Sequence, residues 1–203
     1  MELIDISPTL HPGVAVWPGD VAFRREVALS MAEGANLELS SITTTVHVGA
    51  HTDAPSHYVL GGASIAERSL DLYYGSCQVI DAPGSGRIQP DEVGALGATR
   101  VLFRTGSFPD PDHFNPDFRS LSPQLVDILA AQGVRLVGLD TPSVDPFESK
   151  ELEAHNAIAR ADMAILEGVV LEHVEPGLYT LIAFPLKLAD TDASPVRAVL
   201  IRG

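Results

Sequence analysis

One cysteine in 203 residues, Cys77, leaves no internal disulfide to be formed. A lone thiol fits a reducing compartment. Within Ser-Cys-Gln-Val-Ile-Asp it reads as a small buried hydrophobe on a strand rather than a reactive nucleophile. Positive charge is also scarce: 13 Lys and Arg stand against 27 Asp and Glu, a formal net charge of −14. Nucleic acid and anionic membrane surfaces both call for a basic face, so neither is an expected partner. No run approaches the ~20 apolar residues of a membrane span. The start, Met-Glu-Leu-Ile-Asp-Ile-Ser-Pro, lacks the basic and apolar stretches of a signal peptide, and a cytoplasmic location is the resulting expectation. With no repeat, low-complexity tract or long linker, the chain is expected to fold as one domain over 1–203.

The 15 prolines and 17 glycines are spread as turn punctuation. Between them, alternation and β-branched enrichment predict strands over 2–6, 23–29, 37–48, 76–82 and 100–104. A helix is predicted from Pro123 to Gln132, with Ser122 as N-cap and Gly133 closing it, and a strand over 134–139 follows. A second helix is predicted over about 150–161, with Leu152, His155, Asn156 and Ala159 sharing one face. Strands at 163–166, 179–183 and 196–201 complete the pattern. Strand-helix alternation in the second half, joined to a more antiparallel first half, predicts a mixed α/β fold.

What the chain does concentrate is histidine. Residues 47 to 57, His-Val-Gly-Ala-His-Thr-Asp-Ala-Pro-Ser-His, carry three of its seven histidines and an aspartate. Imidazole and carboxylate together suit zinc, manganese or ferrous iron, which points to a metal-dependent hydrolase. His47 and His51 stand four apart, but the threonine run before them, Gly49 and Pro55 all argue against a helix. On an ideal strand they would lie roughly 13 Å apart. Both reach one metal only if the backbone bends, and Gly49-Ala50 is the expected place, with a strand kinking there into a loop. The second half must complete the ligand set. His155, on an otherwise apolar helix face, is either a ligand or a core histidine. Glu167 ends the apolar strand Met-Ala-Ile-Leu, where an unpaired buried carboxylate is costly and a metal would satisfy it.

This histidine segment closely resembles the signature of the bacterial-type kynurenine formamidases, within the metal-dependent cyclase-like hydrolases. Val-Trp-Pro-Gly-Asp at 16–20, Leu-Asp-Thr-Pro-Ser-Val-Asp-Pro at 139–146, Ala-Ser-Pro-Val-Arg-Ala-Val-Leu at 193–200 and the twelve-residue spacing of His155 and Glu167 extend the likeness over nearly the whole chain. The resemblance implies a swivelling β/β/α-type domain, with a mixed or antiparallel sheet or a barrel-like core flanked by helices, and a homodimer. It implies two zinc ions per subunit, with manganese as the alternative. His47, His51 and Asp53 would hold one and His155 the second, while Asp53 and Glu167 bridge them. His57 would be the proton donor and acceptor, and Trp17 would lie against the aromatic ring of the substrate, N-formyl-L-kynurenine. The metal motif itself is shared with isatin hydrolases, so cyclic amide hydrolysis is an alternative. A cysteine-dependent amidase using Cys77 and a non-catalytic metal-binding protein are two others.

Overall fold

The apolar residues at 101–103, 136–139 and 164–166 fall into two sets that alternate along the chain. Leu102, Leu136, Ala164 and Leu166 pack into one buried cluster, and Val101, Phe103, Val137, Leu139 and Ile165 into another. Strands of this kind need a layer on each side, because neither face can meet water. The computed structural model, which describes residues 1–202, supplies both layers. Its elements in chain order are β1 (Glu2–Asp5), β2 (Arg24–Leu29), β3 (Leu39–Thr43), β4 (His51–Asp53), β5 (Tyr74–Asp81), β6 (Arg87–Ile88) and β7 (Arg100–Arg104). There follow β8 (Ser120–Leu121), α1 (Pro123–Ala131), β9 (Leu136–Leu139), α2 (Glu153–Arg160), β10 (Ala164–Leu166), β11 (Gly177–Ile182), β12 (Ala193–Pro195) and β13 (Val199–Arg202).

Seven strands form one mixed, open sheet in the order β1-β13-β11-β5-β7-β9-β10. The half made of β5, β7, β9 and β10 is parallel, and the pairs β1–β13, β13–β11 and β11–β5 are antiparallel. Helices α1 and α2 cover one face through Leu125, Val126, Leu129, Ala154, Ala157 and Ile158. The other face is covered by Ile6, Ile65 and Tyr73 and by Ala50 and Ala54, which flank β4. The mixed α/β expectation is met, with an open sheet rather than a barrel.

Several boundaries move. The strand predicted over 37–48 ends at Thr43. The Thr45 hydroxyl bonds to Asp20 and accepts the His47 amide at 3.3 Å, so this threonine serves a local turn that competes with a ladder. Helix α2 starts at Glu153, because Leu152 sits in the left-handed region at φ 48°. Its buried face is Ala154, His155, Ala157 and Ile158, and Asn156, expected on that face, is exposed. The first helix agrees closely with expectation: the Ser122 side chain accepts the Leu125 amide, and Gly133 takes φ 84°.

Strands β2 and β3 form a hairpin separate from the main sheet, and every residue of both is exposed. Among the described residues, no helix is long and apolar enough to cross a membrane.

Candidate metal centre

The histidine segment reaches the carboxyl end of the parallel strands through a bend at Gly49, where φ is 56°. That is the expected hinge, but the order of elements differs: the chain turns first and then resumes as β4. Two contacts fix β4 there. It pairs antiparallel with β12, and His51 exchanges main-chain hydrogen bonds with Glu167, N to O at 3.0 and 2.9 Å. The approach requires glycine. A Cβ on Gly168, itself at φ 65°, would lie 2.2 Å from the Gly49 carbonyl oxygen.

These contacts gather all five predicted ligand side chains. His47 Nδ1 lies 3.0 Å from Asp53 Oδ1, and His51 Nε2 lies 3.6 Å from the same oxygen and 3.2 Å from Glu167 Oε2. His155 Nε2 approaches from α2, 3.5 Å from Asp53 Oδ2 and 3.9 Å from Glu167 Oε1. Asp53, Glu167, His51 and His155 are all buried.

The donor set fits a divalent metal. Both oxygens of Asp53 are buried and, among the described residues, have no hydrogen-bond partner, although three imidazoles crowd them. Only the His47 nitrogen is close enough to bond, and it makes no hydrogen bond there; those of His51 and His155 stand at 3.6 and 3.5 Å. Such an arrangement suits lone pairs converging on a shared centre. The separations of 3.0 to 3.6 Å around Asp53 Oδ1 bracket the edge of a tetrahedron with bonds near 2.1 Å, about 3.4 Å.

The outer hydrogen bonds of the rings also present lone pairs inward. His51 Nδ1 donates to the Gly49 carbonyl at 2.9 Å, and His155 Nδ1 donates to Asp145 Oδ2 at 2.9 Å. Carbonyls and carboxylates only accept, so in each ring Nε2 is left for a metal. His47 is held the other way round: Nε2 faces Asp192 Oδ2 at 2.9 Å and Nδ1 faces inward.

Charge tells the same story. Burial disfavours the imidazolium of His47, but the Asp53 and Asp192 carboxylates override it and hold the ring up at about 9. Burial likewise opposes His155, which Asp145 and Asp53 raise to about 10. Burial would raise Asp53, yet the rings of His155 and His47 hold its carboxyl well below the usual range. Without a metal the cluster takes up protons; with one, the cation replaces them.

His57 follows β4 on a short turn. Its side chain is 35% exposed, against 4% for His51 and His155. Its Nδ1 lies 3.4 Å from Asp192 Oδ2, and its ring centroid 4.3 Å from that of His47. One of its nitrogens also comes within 4.8 Å of ligand atoms of Asp53 and His155, so distance alone permits a ligand role.

Beside the cluster opens a cavity of about 740 Å³. Trp17 lines it and anchors an aromatic group, with ring centroids 5.0 Å from Phe147, 5.5 Å from Phe114 and 6.2 Å from Phe118. Thr105 and Gly106 also line it. Sequence reasoning missed Asp145, Asp192 and the phenylalanines. Asp145 lies within the 139–146 segment but gave no signal of its own; Asp192 was one acidic turn residue among many. Cys77 is fully buried, and burial pushes its thiol up to about 12, which removes the thiolate that a cysteine amidase needs.

Residues 4–146 match the family model described as "Cyclase: Putative cyclase". Over 203 residues the chain is 48% identical to a kynurenine formamidase of Maricaulis maris (strain MCS10), covering 98% of this chain and 97% of that one. Its fold is similar to a predicted metal-dependent hydrolase from Bacillus stearothermophilus, with TM-score 0.83 and 29% identity over 98% of this chain and 97% of the other. Isatin hydrolase A of Labrenzia aggregata, at 24% identity, shares the fold alone, with TM-score 0.85 over 100% and 94% of the two chains. The chain belongs to the cyclase family of metal-dependent hydrolases.

Proposed function

We propose that this hydrolase is a kynurenine formamidase, converting N-formyl-L-kynurenine and water to L-kynurenine and formate. The likeness to the Maricaulis enzyme over nearly the full length of both chains carries this reading. The aromatic-lined cavity beside the metal cluster supports it.

On this reading the whole chain, 1–203, works as one domain with two zinc ions. His47, His51 and Asp53 would hold one and His155 the other, with Glu167 completing the donor set; manganese is compatible with the same donors. When bound, the ions supply Lewis-acid polarisation of the formyl group and acidify water toward a pKa of ~7. The residues do the rest. Trp17 and Phe114, which both line the cavity, take the aryl ring and place the formamide at the cluster. His57, at the solvent-facing rim, holds the proton that passes to the departing aryl nitrogen. Asp192, shared between His47 and His57, orients both rings.

The hairpin β2–β3 exposes Val27, Leu29, Leu39 and Ile42. A two-stranded ribbon is marginal by itself, and a homodimer would cover these side chains with a second copy. The buried thiol suits a reducing cytoplasm. Turnover of N-formyl-L-kynurenine by metal-loaded and chelator-stripped protein, with isatin alongside, tests the function. Chelator-sensitive release of kynurenine is expected; activity on isatin alone would replace the substrate and keep the metal chemistry.

A further inference from the structure

The aryl pocket and the metal cluster account for two parts of the substrate, and its charged amino-acid tail remains. The parallel strands end along one edge in the order β5, β7, β9, β10, with Asp81 and Arg104 ending the first two. Asp140 and Glu167 directly follow the other two. Asp81 and Arg104 stand in register on neighbouring strands, and all four residues line the cavity. Arg104 is the only lysine or arginine lining it among the described residues.

Arg104 is partly committed. Nε donates to Asp81 Oδ1 at 2.5 Å, Nη2 to Asp81 Oδ2 at 2.9 Å and Nη1 to the Val174 carbonyl at 2.5 Å. A guanidinium has five N–H groups, so one on each terminal nitrogen is left over. The side chain is 23% exposed and that of Asp81 47%, so both still meet solvent in the cavity. Asp140, by contrast, is saturated. Its oxygens take the Thr105 and Gly106 amides at 2.9 to 3.0 Å and the Thr105 hydroxyl at 2.6 Å.

The reach also fits. Arg104 and Glu167 belong to strands two places apart, roughly 10 Å. From the formyl carbon to the tail carboxylate run seven bonds, folded at the ortho position of the ring, roughly 7–8 Å. A hydrogen bond of about 2.9 Å closes the rest. We infer that the Asp81–Arg104 ion pair is the receptor for the substrate's zwitterionic tail, with the guanidinium taking the carboxylate and Asp81 the ammonium. This inference rests on the formamidase reading. It makes Arg104 a specificity determinant remote from the bond that breaks.

The test compares three substrates: N-formyl-L-kynurenine, N-formylkynuramine (the ammonium without the carboxylate) and 2-formamidoacetophenone, which has no charged tail. Wild-type kcat/KM should fall about 10–100-fold from the first to the second, the worth of a charge-assisted pair of hydrogen bonds. Arg104→Gln should abolish that difference through KM rather than kcat, and alter action on 2-formamidoacetophenone less than about threefold. Wild-type protein without the preference, a variant that keeps it, or equal loss on all three substrates overturns the inference. If Arg104→Gln does not fold, Arg104→Lys serves: it keeps the charge, loses the fork and should show a reduced preference, while an undiminished one counts against us. Cleavage of 2-formamidoacetophenone without N-formyl-L-kynurenine overturns the receptor and leaves formamide hydrolysis standing. No cleavage of any of the three overturns the functional reading itself.

Discussion

Asp145 holds His155 twice, at the ring and at the backbone. Oδ2 accepts the ring Nδ1 at 2.9 Å and the main-chain amide at 3.0 Å, while Oδ1 accepts the amide of Ala154 at 3.0 Å. One carboxylate therefore caps the first turn of α2 and fixes the tautomer of the histidine that turn carries. Asp145→Ala should lose about 1 kcal/mol as a cap and weaken metal affinity about 10–100-fold through the ring. Chemical denaturation and competition with a chromophoric chelator separate the two effects. Unchanged affinity would mean that His155 needs no such guide.

His57 and Asp53 should part company under mutation. His57→Ala is expected to keep its metal and lose about 10²–10⁴-fold in turnover. Asp53→Ala should lose both. Metal content by mass spectrometry beside steady-state rates gives the answer, and an emptied site in His57→Ala would make that histidine a ligand.

Gly168→Ala tests the close approach that brings the histidine segment to Glu167. With a Cβ only 2.2 Å from the Gly49 oxygen at φ 65°, backbone must move. We expect a stability loss of at least 1–3 kcal/mol, the usual scale of such strain, together with weaker metal binding. A denaturation curve matching wild type would refute the tight packing described.

Acidity gives a fourth test. His47 at about 9 and His155 at about 10 lie above the ~6.5 of an unfolded histidine. A raised pKa stabilises fully below the unfolded value, and the gain is lost as pH rises through the folded value. Metal-free protein should therefore lose thermal stability from about pH 6.5 toward 10. Metal uptake near neutral pH should release protons, and affinity should rise with pH. Calorimetry in buffers of different ionisation enthalpy measures the release directly.

Cys77 should be inert. Buried, with its thiol pushed up to about 12, it should resist aromatic disulfide reagents until the protein unfolds, and Cys77→Ala should keep turnover. Rapid labelling of the native protein would contradict its placement.

The histidine segment was legible because its chemistry is local: four side chains in eleven residues, with one glycine where the chain must bend. His155 and Glu167 were legible through cost, since a polar group on an apolar face needs a partner. Asp145 and Asp192 were not, because their partners are set by strand pairing across the chain and an isolated aspartate carries no such mark. The extent of the strand at 37–43 failed for a related reason. Thr44 and Thr45 favour a strand by propensity, but Thr45 spends its hydroxyl on a turn. The aromatic group around Trp17 comes from three separate loops, whose meeting no periodicity announces.

The first strand has no partner but the last: β1 pairs only with β13, and β4, with its two candidate ligands, pairs with β12. The strand that carries His51 and Asp53 is therefore held by residues distant in sequence, Ala193 facing Asp53 and Pro195 facing His51. A substitution in β12, which carries no candidate ligand, should for that reason be felt at the metal cluster.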